Sequence, residues 1–116
     1  MRIRERLLAM SPADVEIPSI VEAELCYGTE KSERREKNIE MVRAFLAPFA
    51  IAPFDDTAAA LYGTIRAGVE RSGLPIGPND LIVAATVLSR NGILVTHNVG
   101  EFSHVTGLAL EDWVAG

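Results

Sequence analysis

At 116 residues, with 48% hydrophobic and 23% charged content, the chain is sized for a single domain spanning residues 1–116 with a core of its own. No stretch reaches the about 18 to 20 apolar residues of a membrane span, no secretory leader pattern opens the chain, and the lone Cys26 excludes a disulfide framework or a Cys/His zinc site, so a cytoplasmic protein is expected. A formal charge of -5 argues against a domain that grips nucleic acid by phosphate neutralisation, but not against a nuclease, since carboxylates that hold a divalent ion are themselves acidic.

Residues 3–9 suit a short helix stopped at Ser11-Pro12, and Asp14-Val15-Glu16-Ile17 suits a short strand closed by Pro18. Ser19 with Glu22 three positions later predicts a capping box, opening a helix that ends near Gly28. Residues 30–37 are mostly charged and predict a salt-bridged exposed face, with steering of RNA a lesser reading. Beyond them Ile39, Val42, Phe45 and Leu46 fall at helical spacing up to Pro48, giving a helical hairpin. Phe49 to Phe54 fit a buried strand. Asp55 or Asp56 can cap the next helix, whose Ala58, Leu61, Tyr62, Ile65 and Val69 share one face up to Ser72-Gly73.

Gly77-Pro78-Asn79-Asp80 then opens a helix, Leu81 to Leu88, that is apolar nearly all round and ends at Asn91-Gly92. Ile93 to Thr96 reads as a strand buried on both faces, and Leu108 to Leu110 as a last short strand. Strands alternating with helices imply an α/β fold.

Three places set a polar group in an apolar context. Glu24 lies just past the first turn of its helix, where an acid is more often simply solvated. Asp80 opens a helix with little polar surface, so it must cap, pair or bind a cation, and capping by Asp80 or Asn79 is the plain alternative. Thr96-His97-Asn98, with Glu101 three residues on, follows a strand at the end where open α/β sheets place their sites, although a polar turn would look the same. His97 and His104 lack metal-ligand spacing, Cys26 suits a buried helical position, and neither a G-x-S-x-G elbow nor a glycine-rich phosphate loop is present.

Taken together, Ser19-Ile20-Val21-Glu22-Ala23-Glu24-Leu25 with Tyr27-Gly28, Pro78-Asn79-Asp80-Leu81-Ile82-Val83-Ala84-Ala85, Leu94-Val95-Thr96-His97-Asn98 with Glu101-Phe102, and the closing Gly107-Leu108 and Glu111-Asp112-Trp113 resemble the VapC-type PIN-domain ribonuclease toxins. The resemblance implies a parallel sheet flanked by helices and an endoribonuclease dependent on Mg²⁺ or Mn²⁺. It also implies a VapB-type antitoxin as partner, RNA as substrate, and a homodimer. By position it makes Glu24, Asp80 and Asn98 the metal ligands, puts Thr96 beside them, and leaves Glu101 as a further acid. Oxygen donors from separate elements suit such hard cations.

Members of that family open with a central strand whose aspartate binds metal. Nothing before Arg6 matches it, and residues 3–11 resemble the family's second helix, so the expected sheet lacks its first strand. The gap would be about 9 to 10 Å, two strand spacings, unless the sheet re-pairs. An incorrect start, a decayed toxin or a shortened protein with another role would each give this pattern. The rival functions are therefore a catalytically impaired remnant that binds antitoxin or dimerises, and a metal-dependent phosphohydrolase that does not act on RNA.

Overall fold

A computed structural model describes residues 9–113. The helix expected over residues 3–9 falls almost wholly outside them. A single 3-10 turn, Pro12–Asp14, leads into β1 (Glu16–Pro18). Helices α1 (Ser19–Lys31) and α2 (Arg35–Leu46) form the expected hairpin and return the chain to β2 (Ala50–Ala52). Helices α3 (Asp56–Ser72) and α4 (Pro78–Ser89), β3 (Ile93–Val95), the one-turn α5 (Val99–Phe102) and β4 (Ala109–Glu111) follow.

The caps show which local signals decide. Asp55 accepts from the Ala58 N–H at 3.0 Å, and Gly73 closes α3 at φ 68, a left-handed conformation that costs a side chain dearly. Replacing Asp55 by alanine is expected to cost about 1 kcal/mol, read as a lower midpoint in urea unfolding. Ser19, by contrast, makes no cap: Pro18, at φ -59, already directs the chain into the helix, so Ser19 is its first residue and the capping box does not form. Nor does α1 stop at Gly28. Thr29, whose hydroxyl bonds the Cys26 carbonyl at 2.7 Å, carries the helix on to Lys31, and Ser32 ends it. Cys26 is exposed on this helix rather than buried.

Strand β1 pairs in parallel with β2, and β3 with β4, and among the described residues no hydrogen-bonded ladder joins the pairs. The described residues thus form two half-sheets. Residues 15–18 and 92–95 line one cavity of about 560 Å³, to which β2 and β4 contribute only Ala52 and Glu111, so β1 and β3 face each other across it. At the start of both strands, Glu16 accepts from Arg90 at 3.0 Å, and the guanidinium holds the Glu16 carboxyl below its usual range. The half-sheets thus begin side by side.

The core lies on the α3–α4 and β3–β4 side. Val83, Ala84, Leu94, Phe102 and Val105 form its centre, and Thr86, fully buried, returns its hydroxyl to the Ile82 carbonyl at 2.8 Å. Strand β3 was expected to be buried on both faces, yet only Leu94 is. Ile93 is 56% and Val95 41% exposed, and both line the cavity, so the face they present is not covered by packed side chains among the described residues.

Candidate active site

The carboxyl ends of the strands and the mouth of α4 bring the expected acids together. The α4 helix starts at Pro78 with no side-chain cap, so Asp80 does not serve as the cap that was its plain alternative. It is half-buried at the helix mouth, beside Glu101 of α5. Their carboxyls lie close enough to share a hydrogen bond, and Glu24 of α1 is near enough for its charge to reach Asp80.

Burial first, then the hydrogen bond to and charge of Glu101, then the charge of Glu24 raise Asp80 to about 6. Glu101 moves the other way. The Gly77 N–H donates to it at 3.0 Å, and the Asn98 amide also donates to it, so its ionised form is held below the usual carboxylate range. The donors to Glu101 favour its ionised form, so when the pair holds one proton Asp80 is the favoured site. The Asn98 backbone N–H bonds the Thr96 hydroxyl at 3.0 Å, so Thr96 shapes the turn that aims Asn98 at Glu101. His97 turns aside to Asp112, 3.1 Å away.

Glu24, Asp80, Asn98 and Glu101 thus share one region, with Thr96 in support. Glu24 is exposed, and among the described residues no three His, Cys, Asp or Glu side chains stand close enough to hold one ion. The donors are all oxygen, and the tightest pair is Asp80 with Glu101, not Asp80 with Glu24. Sequence reading could rank Glu101 only as an extra acid because its ties, to Gly77 and Asn98, join loops 24 and 3 residues apart.

The PIN domain family matches residues 1–108. The chain is 39% identical over 111 residues to the tRNA(fMet)-specific endonuclease VapC of Shigella flexneri, covering 96% of this chain and 83% of that protein. This chain is a VapC-type PIN-domain protein. A second VapC relative, ribonuclease VapC2 of Rickettsia felis, is 40% identical over 99 residues, covering 85% of this chain and 74% of its own length. Among solved structures, the DNA-bound VapBC complex of Salmonella typhimurium contains a chain that superposes with a TM-score of 0.91 at 38% identity, over 97% of this chain and 84% of that chain. An α/β fold with parallel strands and flanking helices, expected from the motifs, is the PIN fold seen here.

Proposed function

We propose that this chain is an endoribonuclease toxin that hydrolyses RNA phosphodiester bonds and is neutralised by a VapB-type antitoxin. The observation that carries the reading is the convergence of Asp80 and Glu101, with Glu24 in electrostatic range, at the strand ends of a chain with ribonuclease relatives. The relatives' solved VapBC complexes support the antitoxin as partner, and a homodimer is part of the same proposal. Among the described residues no helix is long and apolar enough to cross a membrane.

Mg²⁺ or Mn²⁺ is the cofactor proposed. The donor set fits, because such an ion keeps several waters and needs only one or two carboxylates with its substrate. Asp80 and Glu101 would hold it, with Glu24 and the Asn98 carbonyl oxygen at its periphery. Bound there, the ion would supply the positive charge that an acidic cleft lacks, polarising phosphate and activating water. Glu101 stays ionised through the Gly77 N–H, and Asp80 must give up its proton to become a ligand. Thr96 and Asn98 hold Glu101 in place.

Ion binding should weaken as pH falls through about 6, where Asp80 takes its proton. Mn²⁺ affinity by calorimetry is expected to drop about tenfold per pH unit below that point, and a flat profile from pH 7 to 5 would remove Asp80 from the ligand set. The functional test is incubation with labelled tRNA and Mn²⁺. Cleavage that EDTA stops supports the proposal, and EDTA-insensitive cleavage rejects the metal.

That among the described residues no three His, Cys, Asp or Glu side chains stand close enough to hold one ion favours a second reading, an impaired PIN domain that serves to bind antitoxin or to dimerise. It is supported if antitoxin binds and no RNA is cut with Mn²⁺ present. Cleavage of a simple phosphate ester without cleavage of RNA would instead favour a phosphohydrolase.

A further inference from the structure

Beside the acid cluster lies a groove of the opposite charge. Thr64, Gly68, Arg71 and Ser72 fall on one face of α3, and the turn from His104 to Thr106 after α5 forms the other wall of a cavity of about 420 Å³. Val69 and Val105, both buried, close it towards the core. It shares no lining residue with the cavity between β1 and β3. Gly68 leaves the floor bare, since a methyl there would meet only the Arg71 guanidinium, at 3.9 Å.

No acid lines this groove, although the chain carries 16 acids against 11 lysines and arginines. Beyond β2, Arg66 is paired with Glu70 and Arg90 with Glu16, whereas among the described residues Arg71 has no ion pair and the His104 ring no hydrogen bond. Thr64 gives its hydroxyl proton to the Ala60 carbonyl at 3.4 Å, but the Ser72 and Thr106 hydroxyls make no bond among the described residues. A guanidinium, an imidazole and two hydroxyl donors without a competing carboxylate suit an anion with several acceptor oxygens, such as a phosphate. The groove also adjoins the acids. The His104 N–H bonds the Glu101 carbonyl at 3.2 Å, and the charge of the His104 ring reaches the Glu101 carboxylate.

We propose that this groove is a phosphate subsite of the ribonuclease, in which Arg71 and His104 hold a backbone phosphate of the RNA strand neighbouring the one that is cut at Asp80 and Glu101. The subsite rests on the nuclease reading. RNA is favoured over free phosphate because only a strand can reach from the acids into the groove. Such a contact positions the strand without reading its bases.

The test uses the full chain and fluorescein-labelled tRNA, with EDTA present so that anisotropy reads binding without metal. Arg71→Gln is expected to weaken binding at least about fivefold in low salt, and to lower the slope of log affinity against log salt by about 0.7 to 0.9, the release of one counterion. His104→Gln should weaken binding as well. Arg66→Gln removes the same charge from a paired, exposed position on α3 and should change binding much less. With Mn²⁺, Arg71→Gln should raise KM for cleavage at unchanged kcat. Equal losses in Arg66→Gln and Arg71→Gln, or no loss in either groove variant, would overturn the subsite, and cleavage by the parent would then leave the nuclease reading standing. Binding that depends on Arg71 in a chain that cuts no RNA would instead sink the nuclease reading and keep the groove as an RNA phosphate site. Inorganic phosphate or hexaglutamate that binds as tightly as tRNA, with the same dependence on Arg71, would assign the groove to a free anion or an acidic protein and overturn the proposal.

Discussion

If Asp80 holds the proposed ion, replacing it by alanine is expected to lower Mn²⁺-dependent RNA cleavage by at least about 100-fold, since even outer partners of metal ligands cost 10- to 100-fold when lost. The companion substitution, Asp80→Asn, should do the same to cleavage while making the fold more stable. Asp80 is held near 6 by burial and by Glu101 and Glu24, against an ordinary value of 3.8. Between those values the folded chain binds a proton that the unfolded chain does not. Stability from this group is therefore greatest at low pH, is lost as pH rises through about 6, and is at its worst at neutrality. Asparagine removes the repelled charge, a gain of about 1 kcal/mol after discounting for solvent screening, or about 4 °C in Tm at pH 7.5. At pH 4 the two proteins should melt together. Unchanged cleavage in either variant would detach the chemistry from α4.

Phe102→Ala should have the largest effect on stability, about 3 to 5 kcal/mol. Phe102 is 4% exposed and packs within the core cluster with Val83, Ala84, Leu94 and Val105. Truncation leaves a void between α4, β3 and α5 that no neighbour on so short a helix can refill. For a domain of this size the loss is a large share of total stability, so the urea midpoint should fall steeply and cleavage should fail with it. A midpoint within error of the parent would show that the α5 packing contributes little. Because Glu101 precedes Phe102, a variant that still folds should bind Mn²⁺ more weakly, which calorimetry would register.

Much of the fold could be read from residues whose local chemistry acts alone. Asp55 and Gly73 bound α3, and Pro78 with Asn91-Gly92 brackets α4, because each acts on the backbone next to it. Where two local signals competed, the sequence misled. Ser19 looked like a cap, but the fixed φ of Pro18 started the helix one residue sooner; Gly28 looked like a stop, but Thr29 and Ser32 supplied bonds beyond it. Burial of Ile93 and Val95 was misjudged because it depends on what lies across the sheet, not on their own β-branched character. At the site, Asp80 was legible as an acid without a comfortable surface. The Asp80–Glu101 pairing was not, because it follows from where the Gly77 N–H happens to aim.

The distribution of buried side chains divides the molecule into parts that should open at different costs. In the α1–α2 hairpin only Thr29 is buried, and β1 holds no buried residue, whereas α4 buries Leu81, Val83, Ala84, Ala85 and Thr86. Among the described residues no ladder joins the half-sheets, so the segment from β1 to β2, held by Ile20 and Val21 against the core and by the Glu16–Arg90 pair, is expected to open at lower cost than β3 and β4. Partial unfolding of that segment would carry Glu24 away from Asp80 and leave the helix mouth standing, so local opening, read by hydrogen exchange in α1, is expected to come before global melting in dispersing the acids.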